Sequence, residues 1–270
     1  MTILNHVCAK RFSKLAGISL LASILLFVTL ASGDDGVPVP GDTGFVRHVL
    51  LQIDDQHRGN SSHGILEMQI KTTHWTRTLE MESWSLGKEH SLVKIIKPLK
   101  EKGTATLKAE NTLYTYLNKT GRTIRINASM MGSAWMGSHF TNDDLVTETR
   151  LSDDFDATLI GDKPWGKKQV HVLELIPKEG RAIVYGKIQV GVFHGSLQPA
   201  WQLFFDEDGK KVRKMVYSDF RYSHGRLFPH RMKMTPLDKS GEYTSLQWKQ
   251  IQFDVPLKKA FFSVHRLKSL

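Results

Sequence analysis

The stretch that decides the fold is residues 74–86, HWTRTLEMESWSL, in which apolar and polar side chains alternate. Leu79 and Met81 fall on one side of an extended chain, whereas Glu80 and Glu82 fall on the other. Successive side chains of a β-strand point to opposite faces of a sheet. The alternation therefore predicts a strand with one buried and one solvated face.

Similar runs extend from this stretch in both directions, and turn residues such as Lys119-Thr120-Gly121 and Asp206-Glu207-Asp208-Gly209 separate them. The further runs are 64–71, 89–97, 103–109, 111–117, 122–126, 152–160, 168–177, 185–194, 198–206, 211–222, 227–235 and 244–253. They do not alternate with helices. The sequence thus predicts a mainly β fold of antiparallel strands, which usually closes or curls into a barrel because an open sheet leaves exposed edges.

One segment, 127–146 (NASMMGSAWMGSHFTNDDLV), interrupts the strands. It lacks a period of two, and it predicts a pair of helical turns, the second capped by Thr141. Methionine adapts to irregular apolar partners. A movable lid at the mouth of a cavity and ordinary packing both fit this composition. The candidate lid residues are Met130, Met131, Trp135, Met136 and Phe140.

A single clear helix precedes the strands, from about Gly44 to Gln56, with Thr43 as its cap. Its apolar residues recur at the i, i+3/i+4 and i+7 positions of one helix face. These residues are Phe45, Val46, Val49, Leu50 and Ile53.

The first residues follow the pattern of an export signal. Three cations, Lys10, Arg11 and Lys14, precede an uncharged and mostly apolar run from Leu15 to Ala31. This order predicts a signal peptide over 1–33, a linker over 34–42 and a single domain over 43–270. An uncleaved membrane anchor is the alternative. The one cysteine, Cys8, lies in the leader, so the mature chain can fold in an oxidising compartment without mispairing.

The net charge of +10 would suit nucleic acid, an anionic membrane or an acidic partner. Export argues against nucleic acid. The basic residues are scattered along the strands rather than clustered. We therefore expect ordinary solvated faces and, at most, a weak and transient contact with a membrane surface.

The motifs of common enzymes and metal sites are missing. The sequence contains no G-x-S-x-G, H-E-x-x-H, C-x-x-C or glycine-rich phosphate loop. None of its 12 histidines lie at H-x-H spacing, so we predict no metal site. A Ser-His-Asp triad stays open on composition alone, and no spacing favours one. The expectation is a protein that is not an enzyme; a hydrolase on a β-barrel scaffold is the alternative from a different class.

Several stretches resemble the bacterial outer-membrane lipoprotein-sorting family, whose members are LolA/LolB-like. They are RTLEMESWS (77–85), SLVKIIKPLKEKGTATLK (91–108), SMMGSAWMGSHFTNDDLV (129–146), VLELIPK (172–178) and the closing FDVP…FFSVHRL (253–267). The resemblance implies an unclosed antiparallel β-barrel of about eleven strands with an α-helical lid or plug. It also implies a periplasmic location in a Gram-negative cell, no cofactor and a hydrophobic cavity that accepts acyl chains.

The expected function is then a carrier that binds the acyl chains of lipoproteins or other lipids and moves them towards the outer membrane. An accessory subunit of an inner-membrane RND/MMPL-type lipid exporter is the alternative. Hydrophobicity selects one face of the strands as the cavity lining, and an error of one residue would reverse a strand. The candidate lining residues are Met68, Ile70, Leu79, Met81, Val93, Ile95, Leu173 and Leu175.

Overall fold

The computed structural model describes residues 38–42, 44–55, 59–147, 151–181 and 183–269. The predicted signal peptide, residues 34–37 of the predicted linker and Thr43 lie outside these residues. Within the described ranges, no helix combines the length and the apolar character that a membrane crossing requires.

Antiparallel strands in one sheet dominate the fold. In chain order they are β1 (Ser61–Lys71), β2 (Thr76–Leu86), β3 (His90–Lys97), β4 (Ala105–Ala109), β5 (Thr112–Leu117), β6 (Arg122–Ile126), β7 (Phe155–Trp165), β8 (Lys168–Pro177), β9 (Lys187–Phe193), β10 (Pro199–Phe205), β11 (Lys211–Ser223), β12 (Arg226–Pro236) and β13 (Tyr243–Phe253). The 13-stranded sheet confirms the mainly β prediction, with more strands than the number expected for the barrel. Each strand overlaps one of the alternating runs.

The order of the strands shows that the sheet is open. From edge to edge it is β6-β5-β4-β3-β2-β1-β13-β12-β11-β10-β9-β8-β7. Strands β6 and β7 follow each other in the chain but form the two opposite edges. The connection between them, residues 127–154, must therefore run from one edge of the sheet to the other. We call it the crossing segment.

In the described part of the chain, four α-helices accompany the sheet. They are α1 (Phe45–Asp55), α2 (Asp144–Thr147), α3 (Leu151–Asp154) and α4 (Val264–Ser269). Helix α1 agrees with the predicted helix, and it buries Phe45, Val49, Leu50 and Ile53 in the main core. The side chains of that core come from one face of the sheet, which we call the inner face.

The predicted start of β7 was wrong. The run expected to begin at 152 starts at Phe155, because the preceding four residues form α3. The Asp54 carboxylate at the end of α1 accepts hydrogen bonds from the backbone N–H groups of Leu151 (3.0 Å) and Ser152 (3.1 Å). These are amides that a helix start leaves without a partner. A long-range contact thus decides this local structure.

The outer face carries a second core under residues 257–269, which we call the C-terminal segment. Leu92 and Leu107 on the outer face are fully buried beside Phe262 and Leu267 of that segment. The ring of Trp84 packs against Phe261, with ring centroids 5.5 Å apart. This cover is apolar.

Candidate functional site

All eight candidate lining residues lie on the inner face. Seven are at most 1 % exposed and belong to the main core, and Val93 is half-buried beside a cavity. The register explains the shared face, since Met68 lies opposite Leu79 and Met81 lies opposite Ile95. Directly opposed residues of paired strands point to the same side. Their role in lipid binding stays a prediction.

A cavity of about 120 Å³ opens within the inner face. Its apolar wall consists of Ile53, Leu66, Val93, Leu113, Trp135, Leu145, Met232, Leu246 and Trp248. Its polar wall consists of Asp54, Ser62, Ser83, Ser85, Ser91 and Thr106. This volume is slightly below the ~150 Å³ that holds one benzene ring in an engineered protein core. A whole acyl chain therefore does not fit without rearrangement.

The polar wall gathers on one side of the cavity. The hydroxyls of Ser62 and Ser85 form a buried hydrogen bond of 2.7 Å. Asp54 also accepts a hydrogen bond of 2.6 Å from the Ser152 hydroxyl. Burial raises the pKa of Asp54, and the hydrogen bond from Ser152 and the nearby Lys88 ammonium oppose that rise. The cavity is therefore amphipathic, with an apolar wall and a wall of hydroxyl groups.

Gly64 lets an aromatic wall of this cavity form. A Cβ atom at this position would lie 2.9 Å from the Trp248 ring and 2.4 Å from the Gln250 carbonyl oxygen. Real Cβ atoms do not approach other atoms so closely. The absence of a side chain on β1 therefore allows the indole to lie against that strand.

The crossing segment passes over the inner face and contacts successive strands of it. The Trp135 indole N–H donates to the Thr106 hydroxyl on β4 (3.0 Å). The Arg77 guanidinium on β2 donates to the Met136 carbonyl oxygen. Later residues of the segment reach β13 and β11, as described below. The segment thus covers the inner face as the strand order requires.

His139 attaches the segment to β13. Its backbone N–H donates to the Thr244 hydroxyl (3.0 Å), and its ring nitrogens lie 2.9 Å from that hydroxyl and 3.0 Å from a Glu242 carboxylate oxygen. Glu242 also accepts hydrogen bonds from the backbone and hydroxyl of Thr73. The bond to His139 and then those from Thr73 lower the pKa of Glu242 to about 2. Glu242 is therefore an ionised acceptor at neutral pH.

Arg213 attaches the segment to β11. Its guanidinium donates to both Asp144 carboxylate oxygens, at 2.9 and 3.0 Å, and to the His139 carbonyl oxygen at 2.6 Å. Both side chains are about nine-tenths buried. Tyr185 donates a further hydrogen bond to Asp144 (3.1 Å), and its ring lies under the guanidinium, 4.9 Å away. Two-pronged pairs of this kind are specific in geometry.

The five candidate lid residues divide into two groups. Trp135 and Phe140 are 4 % exposed and belong to the main core, and Met136 packs half-buried against it. Met130 and Met131 are half-buried, and their carbonyl oxygens accept hydrogen bonds from within the segment. Their position over the inner face suits a lid, and that role stays a prediction.

Sequence reasoning missed the polar contacts that hold the segment. Arg213, Glu242 and Thr244 lie more than 65 residues from their partners, and no local pattern marks them. The predicted cap is confirmed, because the Asp144 N–H donates to the Thr141 hydroxyl (3.2 Å) and the Asp144 carboxylate accepts from the Thr141 N–H (2.7 Å). That reciprocal arrangement joins residues close in the sequence, so it could be predicted from the sequence.

A separate cluster joins Asp162 on β7, His171 on β8 and His194 just after β9. Asp162 lies 2.7 Å from the Nδ1 atom of His171 and 3.3 Å from the Nε2 atom of His194. The two imidazole rings stack with centroids 3.8 Å apart. The three residues come from three different elements, so their spacing in the sequence gives no signal.

Apolar side chains are exposed at the end of the sheet where the crossing segment is attached. Leu99, in the turn between β3 and β4, is 85 % exposed. Exposed lysines surround it: Lys97, Lys100 and Lys102. Trp75 and Leu237 lie half-exposed in turns at the same end.

Comparison with known proteins agrees with this architecture. A family model described as "Uncharacterized protein" matches residues 87–269. No curated protein sequence matches the chain.

Three solved structures share the fold. A domain from Vibrio parahaemolyticus assigned to outer membrane lipoprotein sorting is 22 % identical, with a TM-score of 0.72 over 82 % of this chain and 97 % of that one. A DUF1329 family protein from Desulfovibrio piger is 21 % identical, with a TM-score of 0.74 and the same coverage. A LolA superfamily protein from Nitrosomonas europaea is 21 % identical, with a TM-score of 0.70 over 81 % and 97 %. At these identities the similarity establishes the fold.

Proposed function

We propose that this chain, which belongs to the family matched over residues 87–269 and has a LolA/LolB-like fold, is a periplasmic lipid carrier. It binds the acyl chains of lipoproteins or other lipids against the inner face of its open sheet and releases them at another membrane. It does this without catalysis. The predicted signal peptide over 1–33 would deliver it to the periplasm.

The observation that carries the proposal is the way in which the inner face is covered. An apolar face of this size is normally closed by the sheet itself or by an apolar layer. Here helix α1 and the crossing segment cover it, and the crossing segment is held by hydrogen bonds and ion pairs with Arg77, Arg213 and Glu242. Polar groups such as these can exchange their partners for water when the segment separates from the sheet. Such a cover suits a face that must be exposed to a ligand and then closed.

Binding requires the crossing segment to move, because the cavity of about 120 Å³ is too small for an acyl chain. Each buried CH₂ of that chain would contribute about 0.8 kcal/mol. Removal of water from several methylenes therefore offsets the loss of the polar contacts. The hydroxyl wall with Ser62 and Ser85 would lie beside the polar group of the lipid.

The exposed turn with Leu99 provides a membrane contact at the same end. Its leucine would insert among lipid tails while the surrounding lysines meet anionic headgroups, each worth about 1 kcal/mol near the surface. Glu101 in this turn pairs with Arg77 at 3.5 Å. Arg77 in turn holds the Met136 carbonyl. Contact with a membrane would therefore act on a residue that holds the crossing segment.

The test is native mass spectrometry of the full chain purified from a Gram-negative host, followed by lipid extraction. We expect an acylated species bound to the protein. Val93→Phe would fill the cavity and lower lipid occupancy. The matched control is Ile96→Phe, which adds the same ring at a half-buried position of the same strand that does not line the cavity; it should leave occupancy unchanged.

Two outcomes would contradict the carrier proposal. One is a protein that is empty as purified and stays empty after incubation with vesicles and acylated peptide. The other is equal lipid loss in Val93→Phe and Ile96→Phe, which would mean that binding does not use the inner face. An empty protein that co-purifies with an inner-membrane exporter would favour the accessory-subunit function instead.

A further inference from the structure

We propose that Asp162, His171 and His194 form a binding site for a divalent transition-metal ion such as Zn²⁺. This site would lie at the end of the sheet opposite to Arg213, where β9 ends and β10 begins. One ligand atom from each of the three residues lies within 4.8 Å of the other two. The site would be distinct from the inner cavity and independent of the proposed lipid binding.

The backbone turns Asp162 towards His171. A β-bulge in β7 lies between Leu159 and Gly161, where Gly161 has a φ of +127°. Without the bulge, the Asp162 side chain would lie on the face of the sheet opposite to that of Leu159. With the bulge, Asp162 lies directly opposite His171. Bulges often redirect a side chain next to a functional site.

A tight turn after β9 places the third ligand. The His194 N–H donates to the Gln169 carbonyl oxygen on β8 (3.1 Å), and Gly195 follows with a φ of +78°. Leu197 in the same turn also has a positive φ, of 52°. This conformation is uncommon for a leucine. The turn thus holds His194 over His171 at a cost in backbone strain.

The chemistry of the three side chains suits a transition metal. Imidazole nitrogen and carboxylate oxygen bind Zn²⁺ at about 2.0–2.2 Å, and three protein ligands leave one position open. Among the described residues, Asp162 forms ion pairs with the two imidazoles and with no lysine or arginine. An aspartate side chain is ordinarily a carboxylate at neutral pH. A divalent cation would complement this negative charge.

Metal binding requires one ring to turn. The imidazole rings stack at an angle of 18°, so their in-plane lone pairs run side by side instead of converging. His171 is buried and has the Phe45 ring against its edge at 5.3 Å. His194 and Asp162 have side chains that are 40 % and 50 % exposed, so they are free to move. His194 would leave the stack and converge with the others on the ion.

The experiment uses the untagged full chain after treatment with a chelator. ZnCl₂ is titrated in competition with a coloured zinc indicator, and Co²⁺ is added separately so that its visible absorption reports the ligands. We expect saturable binding of one ion per chain. His171→Ala and His194→Ala should each weaken it by more than the roughly 10- to 100-fold that loss of an outer-shell partner costs. Asp162→Asn, which keeps the side-chain shape, should also weaken it.

His224→Ala provides the control. His224 is exposed in the turn between β11 and β12, where it has a φ of 49°, and it lies outside the cluster. This variant should bind Zn²⁺ like the unaltered chain. The proposal is overturned if no saturable binding occurs, or if Asp162→Asn and His194→Ala, shown by circular dichroism to be folded, bind as tightly as His224→Ala. Neither result would affect the carrier proposal, whose measurement is bound lipid.

Discussion

The segments that cover the two faces of the sheet differ in chemistry. On the outer face, the C-terminal segment is held by apolar contacts such as those of Phe262 and Leu267. On the inner face, the crossing segment adds to its apolar contacts buried and half-buried polar ones, through Arg213, Glu242 and Arg77. Hydrophobic burial is non-directional and is lost only when the parts separate. Polar contacts break one by one. On this difference we propose that the outer cover is permanent and the inner cover releasable.

The largest effect is expected from the permanent cover. Phe262→Ala should lower the free energy of unfolding by about 3–5 kcal/mol, because a buried phenylalanine is replaced by a cavity. Phe262 is 5 % exposed. Denaturant unfolding followed by tryptophan fluorescence measures the change. The exposed neighbour His265, changed to alanine, should alter stability little. If Phe262→Ala also accelerates uptake of a fluorescent fatty acid while the protein is folded, the distinction between the two covers fails.

Arg213→Met should cost about 3 kcal/mol, because it leaves the Asp144 carboxylate buried without its cation. The double variant Arg213→Met/Asp144→Asn removes both charges, and it should recover most of that stability. It should nevertheless take up a fluorescent fatty acid faster than the unaltered chain, since the crossing segment has lost its attachment to β11. Stopped-flow fluorescence measures uptake. An uptake rate equal to that of the unaltered chain would show that this ion pair only stabilises the fold.

The attachment through Glu242 should depend on pH. Its folded pKa of about 2 lies below the ordinary 4.5, so its contribution is fully present above pH 4.5 and is lost as the pH falls towards about 2. Hydrogen exchange of residues 136–144, measured by mass spectrometry, should increase relative to Glu242→Gln across that window. Glu242→Gln has no charge to lose at this position. Parallel behaviour of the two proteins over this pH range would contradict the assignment.

The strands and faces were predictable because they depend on neighbours in the sequence. The alternation at Leu79 and Met81 identifies the inner face, and the same alternation extends to Ser83, which lines the cavity. The crossing segment was recognised by its lack of alternation. Its polar attachments were not predictable, because residues far apart in the chain, such as Asp144 and Arg213, meet only after the sheet has formed. The cluster of Asp162 with the two histidines was not predictable for the same reason.

The exposed turn with Leu99 should contribute to membrane binding but very little to the stability of the fold. Leu99→Ser should alter the free energy of unfolding by no more than about 0.5 kcal/mol, because the side chain is 85 % exposed. Insertion of a leucine into an apolar phase is worth about 1.5–3 kcal/mol, so binding to vesicles of phosphatidylethanolamine and phosphatidylglycerol should fall by about 10- to 150-fold. Sedimentation with vesicles measures it, and added salt should weaken what remains. Tyr222→Ser is the control, since Tyr222 is 75 % exposed at the opposite end of the sheet. If both variants lose vesicle binding equally, general surface hydrophobicity explains the contact, and the end that carries the crossing segment has no special role in meeting a membrane.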